Sequence, residues 1–443
     1  MRAAPLALAL AFAAAALPAS AEDMLQVYRD AKAYDAQYAS ARQALQAGLE
    51  KLPQGRALLL PTLGLTASTT TNHLAILPYG PSPVPESART FYNRNYQLTL
   101  SQPVFRAQNW VQYDQAEQQV RQSEAVFGQA AQDLILRVTQ AYLDVLSAQD
   151  NLALVNAQKV AIGEQLAQAK RNFEVGTATI TDTHEAQARF DLATAQGIVA
   201  QNDVDTKIRA LQQLTGKVYA HLKPLRAEIK LSPPNPANMQ SWVDLAEKQG
   251  YPVVIQDSAT EIASLQTKFA RAGRYPTLDL VGSYGQTLQT GSTITANSAQ
   301  LNLGSFGLQL AVPIYQGGAI SSREREAAAN YEKAKQDLEN AKRTSALSAQ
   351  QNYLLVINGI ANVGALEQAL VSSQSALDSN KLGYEVGVRI NIDVLNAQQQ
   401  VFSTRRDLLQ ARYGTIMNHF RLKAAAASLS EQDLEQTNAA LEP

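Results

Sequence analysis

The chain writes one phrase twice. FEVGTATITD at 173–182 and YEVGVRINID at 384–393 stand 211 residues apart, with an aromatic residue, Glu, Val, Gly and Asp in register. LTLSQPVF at 98–105 and LQLAVPIY at 308–315 repeat at nearly the same offset, and a proline opens a strand-like run in each half, LPTLGL at 60–65 and YPTLDL at 275–280. A duplication on this scale demands two similar halves related by pseudo-symmetry, not a stack of short units. Each half reads as strand, strand, long helical stretch, xEVG turn and returning helical stretch.

The helical signal is the strongest. From Phe127, a four-three spacing runs through Ala131, Leu134, Val138, Ala141, Val145, Ala148, Leu152, Val155, Lys159, Ile162, Leu166, Ala169 and Phe173, and only Lys159 breaks the apolar seam. A 3.5-residue repeat sustained this far predicts left-handed coiled-coil packing. No proline falls between Pro103 and Lys223. A helix from about 106 to 172 would be on the order of 100 Å long at ~1.5 Å per residue. The second half repeats this from about Ser321 to Leu382 with a less regular seam. At the turns, Gly176 and Gly387 suit left-handed C-caps. Thr181-Asp182 and Asn391-Ile392-Asp393 supply N-cap residue types for returning helices over 183–215 and 392–425. Each half therefore carries an αα-hairpin with a short tip.

The strand candidates alternate. Leu63, Leu65 and Ala67 share one face, as do Tyr96, Leu98 and Leu100, then Leu278, Leu280 and Tyr284, then Phe306, Leu308 and Leu310. Leu301 and Leu303 have the opposite parity, which predicts a turn or bulge near Gly304-Ser305. The linkers at 73–89 and 290–300 are polar and rich in Pro, Ser or Thr, as surface loops are. Weakly alternating segments of about ten residues suit an outer-membrane barrel. Four strands cannot close one, because an open edge in lipid leaves backbone groups unpaired. Eight strands from two copies would fill their own interior; twelve from three would leave a lumen. A soluble β-layer beside a helical bundle is the alternative.

The N-terminus sets the compartment. MRAAPLALALAFAAAALPASA has an early Arg2, an apolar run and an Ala19-Ser20-Ala21 cleavage site, which together read as a secretory signal over 1–21. There is no cysteine, hence no lipid-modified N-terminal Cys, disulfide or thiolate site. A net charge of −1 gives no reason to invoke nucleic acid. No other segment reads as apolar for long enough to span a bilayer as a helix. GxSxG, HExxH and Walker-type GK[ST] motifs are absent, and His73, His184, His221 and His419 show no ligand spacing. No enzyme motif stands here, and nothing calls for a cofactor or metal. An exported trimeric coiled-coil adhesin, or a structural periplasmic bundle, would explain the heptads but not two strand pairs inside a duplication.

MLQVYRDAKAYDAQY, LPTLGLTAS, LSQPVF, FEVGTATITD, RYPTLDL, VPIYQGG and GYEVGVRINIDVLNAQ, in this order, resemble the TolC-like outer-membrane efflux and secretion channels. Glu22 in place of an anchoring cysteine points to the non-lipidated branch. The resemblance implies an α+β membrane protein: a homotrimer whose twelve-stranded barrel, four strands per chain, continues into a long α-helical periplasmic tunnel. It divides the chain into a first repeat at 22–217 (strands about 60–72 and 92–104, hairpin about 106–215), an equatorial segment at 218–252, a second repeat at 253–423 (strands about 275–289 and 300–314, hairpin about 318–423) and a C-terminal equatorial segment at 424–443. It implies an exit duct in the outer membrane for a tripartite efflux or type I secretion system. Its partners would be outer-membrane lipid, a periplasmic adaptor (membrane fusion) protein and an inner-membrane pump of RND, ABC or MFS type.

The same resemblance assigns the tips. Gate links would involve Thr181 and Asp182 of the first hairpin with Tyr384 and Arg389 of the second. Asp393 would sit in a constriction ring, and Asn396 stands where the family pattern has a second Asp. One carboxylate per chain instead of two implies weak cation selectivity. Val175-Gly176 and Val386-Gly387 would be the turns on which the adaptor docks.

Overall fold

The computed structural model describes residues 22–77, 79–81, 86–219, 221–226, 231–439 and 441; the signal sequence expected at 1–21 lies outside them. The chain forms two compact units. Of the described residues, one comprises those in 45–124 and 255–339, and the other comprises those in 22–44, 125–254 and 340–441.

The first unit holds an antiparallel sheet of β1 (Thr62–Ile76), β2 (Ser87–Phe105), β3 (Thr277–Gln289) and β4 (Ala299–Ala311), paired in that order. Leu65 pairs with Leu98, Leu98 with Tyr284, and Leu280 with Leu308. Because side chains alternate across a sheet, this register gathers Leu63, Leu65, Tyr96, Leu98, Leu100, Leu278, Leu280, Tyr284, Phe306, Leu308 and Leu310 on one face. The other face carries Thr66, Ser68, Asn95, Gln97, Thr99, Ser283 and Ser305. On it, Ser283 Oγ lies 2.8 Å from Ser305 Oγ, and Thr287 donates to Asn95 at 3.1 Å. The apolar face is bare: Leu65 is 73% and Phe306 74% exposed. Among the described residues, the outer edges of β1 and β4 pair with no strand.

Two expectations change here. β1 and β2 run on to Ile76 and back to Ser87, so part of the expected 73–89 loop is ladder, with His73 opposite Thr90. The register is also unbroken at Gly304-Ser305. The irregularity falls instead between Pro103 and Phe105 of β2, where proline has no N–H to give the ladder. Leu301 and Leu303 lie on the polar face because neither face is buried within the chain, so no core forces a bulge. At the end of the sheet, Arg106 grips the buried Asp279 through Nε and Nη2, both at 2.7 Å.

Helices precede the strands in each half: α1 (Met24–Tyr34), α2 (Ala36–Leu49) and α3 (Lys51–Ala57) before β1, and α6 (Met239–Gln249) and α7 (Tyr251–Ala272) before β3. The sequence reading assigned no helix to 36–57 or 251–272. Pro53 and Gly55 argue against α3. Yet Pro53 sits in the first turn, where a missing N–H costs nothing. Gly55 is buried against α4 (Ala107–Glu174), where an added Cβ would fall 2.8 Å from Ala116 Cβ.

The second unit holds the main core. Met24, Val27, Tyr28 and Ala31 form one fully buried stripe of α1. They join a cluster with Leu134, Val138, Tyr142 and Val145 of α4, with Ile416 and Phe420 of α9 (Asn391–Ala425), and with Leu434 of α10 (Glu431–Asn438). Buried α4 residues thus include the predicted heptad positions Leu134, Val138, Val145, Ala148, Ile162, Leu166 and Ala169. Lys159, the break in the seam, lies over the Phe190 ring of α5 (Ile180–Thr215) at 5.6 Å. α8 (Ala319–Glu385) matches α4 in length and contains an 18-residue window as apolar as a membrane-spanning helix, contrary to the sequence reading. Little of that window is buried within the chain.

Asp35, at the end of α1, accepts from Arg137 Nη1 and Nη2 at 2.8 and 3.0 Å, while Arg137 Nε donates to Asp133. These bonds hold the Asp35 carboxyl below its ordinary value. Asp35 is 7% exposed and Arg137 25%, so removing the guanidinium strands a buried charge. Arg137→Ala should cost about 3 kcal/mol at neutral pH, read as a lower denaturant midpoint. A depressed carboxyl pKa stabilises the fold above the unfolded value and ceases to do so as pH falls through the folded one. The gap between wild type and variant should therefore close below the ordinary value of 3.8. An unchanged gap there would assign the loss to packing instead.

Candidate functional site

The tip of the first hairpin joins α4 to α5, and that of the second joins α8 to α9. Both helices end in the same cap. Gly176 and Gly387 take φ of +77 and +80. Thr177 N–H and Val388 N–H return five residues to the carbonyls of Asn172 and Gly383. Nothing lies within 4 Å of a Cβ built on either glycine, so the requirement is the left-handed backbone, not space. Val175 and Val386 beside them are exposed.

Past these glycines the two tips diverge. Thr179 caps α5, and its hydroxyl and N–H both meet the Asp182 carboxylate, at 2.8 and 3.0 Å, in a capping box. The cap is Thr179, not the expected Thr181-Asp182 pair; Thr181 lies inside the helix and is exposed. The equivalent of Thr179 in the second tip is Ile390, which offers no cap side chain. Asn391 is therefore the first helical residue, not the cap. Asp393, the equivalent of Asp182, has no threonine to bind and faces Arg389, with Nη1 at 3.8 Å from Oδ2. Gly383 makes room for that arginine: a Cβ there would fall 2.7 Å from Arg389 Cγ.

Near the tips, hydrogen bonds at three places tie the hairpins together. Asn172 Nδ2 donates to the Tyr384 hydroxyl at 3.0 Å. Asn391 is 1% exposed; it accepts from Gln165 Nε2 at 2.5 Å, and its own Nδ2 donates to the Asp182 carbonyl at 3.4 Å. Arg189 Nη2 donates to Asn396 Oδ1 at 3.0 Å, and its Nη1 to Gln399. Under these, Leu395 packs with Leu166, Ala169 and Ala186. Within the chain, then, Tyr384 meets Asn172, Arg389 meets Asp393, and Asp182 meets Thr179. Sequence reasoning missed Gln165, Asn172 and Arg189 altogether and gave Asn391 only a capping role. The alignment of the repeats held a signal for one of them, since Asn172 stands opposite Gly383.

The family model for outer membrane efflux proteins matches residues 27–217 and 258–428. The chain belongs to the outer membrane efflux protein family. It is 34% identical to the outer membrane protein TolC of Vibrio cholerae over 95% of this chain and 94% of that one. It is also 30% identical to the protease secretion protein PrtF of Dickeya chrysanthemi, over 94% and 91%. Among solved structures it is similar to the outer membrane protein VceC of Vibrio cholerae, with a TM-score of 0.77 at 18% identity over 91% of this chain and 96% of that one. The family consists of outer-membrane channels, so the bare apolar face of the sheet belongs to an outer-membrane protein.

Asn391 is the buried polar member of the link between tips. Asn391→Ala would take the acceptor from the half-buried Gln165 amide and the donor from the Asp182 carbonyl, a loss of about 1 kcal/mol. Amide hydrogen exchange at the first turns of α5 and α9 should accelerate, while exchange in the α1–α4 core should not. Acceleration in both would mean general destabilisation.

Proposed function

We propose that three copies of this chain form the outer-membrane exit duct of a tripartite efflux or type I secretion system, gated at its hairpin tips. The observation that carries this reading is the sheet. It is apolar on one face, polar on the other and unpaired at both edges, so it matches one third of a twelve-stranded barrel with lipid outside and a wet lumen inside. Closing β4 of one copy against β1 of the next would satisfy every edge. The helical hairpins would extend from the barrel as the periplasmic tunnel, and neighbouring copies would cover the exposed apolar residues of α8 and α5, among them Leu354, Leu355, Ile198 and Val199.

Opening would be an iris-like outward movement of the second hairpin. Its restraints within each chain would be the Tyr384 and Asn391 contacts. Between copies, Arg389, the exposed Thr181 and the half-buried Asp182 would add polar links. Exposed links of this kind are worth about 0.2–1 kcal/mol each, weak enough for a partner to break. That partner would be an adaptor protein docking on Val175-Gly176 and Val386-Gly387, where bare glycine backbone permits close approach. An inner-membrane pump would supply the cargo and choose it. The secretion role named for PrtF and the efflux role of the family are both compatible with one conduit.

Purified protein in planar bilayers tests the duct, and its migration as a heat-modifiable trimer tests the assembly. Arg389→Ser should raise conductance and admit large antibiotics through the outer membrane; unaltered leakage would remove Arg389 from the gate. Gly387→Phe should abolish export with trimers intact. Loss of the trimers would mark Gly387 as a folding residue, since a side chain at φ +80 is strained.

A further inference from the structure

Arg189 lies two turns after Asp182 on α5 and reaches α9 with both ends of its guanidinium, to Asn396 and Gln399. Both acceptors are neutral amides. The fork fixes the position of the charge without cancelling it, unlike a guanidinium that meets a carboxylate. On α9, residues 393, 396 and 400 recur at helical spacing and share one face. One turn separates Asp393 from Asn396, about 4.5 Å of rise. The held guanidinium therefore acts on the Asp393 carboxylate well inside the ~10 Å screening length of 0.1 M salt. Arg389 approaches the same carboxylate from the other side. A carboxylate at 396 would have added negative charge here; this chain places an amide there and a cation against it.

We propose that Arg189 is a selectivity-determining residue: pinned on Asn396 and Gln399, it offsets Asp393 along the polar face of α9, so the mouth passes small anions as readily as small cations. This rests on the reading of the chain as a channel. It replaces the weak cation selectivity expected from Asp393 considered alone.

The test is the reversal potential of the purified full-length protein in planar bilayers under a KCl gradient. Wild type should show a K⁺ to Cl⁻ permeability ratio close to unity. Arg189→Gln, which keeps an amide donor but loses the charge, should raise that ratio about twofold or more, and Asn396→Asp should shift it the same way. Arg189→Lys, which keeps the charge but loses the planar fork, should retain the wild-type ratio. Each variant is checked for heat-modifiable assembly. A Lys variant that behaves like the Gln variant would make Arg189 a structural clamp and overturn the assignment. Conducting channels with one ratio for all four proteins would overturn it and leave the channel reading intact. Assembled protein that conducts no ions would overturn both.

Discussion

A sheet in lipid cannot leave an edge open. Each unpaired N–H or C=O in the hydrocarbon region costs several kcal/mol, with no water to repay it. The four strands of this chain satisfy that condition in their three ladders and leave it unmet at the outer edges of β1 and β4. Their apolar face rules out water as the remedy, and no strand of the same chain is left to supply one among the described residues. On the proposed reading, closure by further copies would supply the missing pairs. It accounts for features that make no sense in an isolated chain: a polar sheet face with its own Ser283–Ser305 contact, and an apolar window of α8 left largely bare.

Duplication and divergence then divide the labour between the hairpins. The caps of α4 and α8 are alike because both need the same left-handed glycine. Past the glycine, Thr179 and Ile390 part ways. One locks its helix start by binding Asp182; the other leaves Asp393 free to face Arg389. Gly383 opposite Asn172 completes the contrast. Where the first hairpin sends a side chain to Tyr384, the second clears the path for an arginine stem. The doubled phrase thus encodes one tip with a side-chain cap and one without it, where an arginine meets the aspartate instead.

Much of this was legible because it is written as period and repeat. The heptads located α4, and the xEVG phrases located both turns. Alternation found each strand, though not its ends: the 73–76 and 87–89 ladder residues look like loop because neither face has to be apolar there. α3 was hidden by Pro53 and Gly55, whose helix-breaking character is cancelled by position in one case and by close packing on Ala116 in the other. The site was less legible than the fold. Asn391, Gln165 and Arg189 are ordinary polar residues in helices, and only the crossing of α4, α5 and α9 shows that their side chains meet.

The distribution of strong and weak contacts makes the tips the better place for the proposed gate. The α1–α4–α9–α10 cluster buries Met24, Tyr142, Leu134 and Leu434, and Arg137 reinforces it with a fork on a buried carboxylate. Opening there would cost several large apolar side chains at about 1.5–3 kcal/mol each. At the tips, the small cluster of Leu166, Ala169, Ala186 and Leu395 is supplemented by amides and by an Arg389–Asp393 pair at 3.8 Å. Fluctuations concentrate where contacts are fewest and most exposed. On the proposed reading, a partner that contributes a few kcal/mol at Val175-Gly176 and Val386-Gly387 would therefore move the tips and leave the core in place.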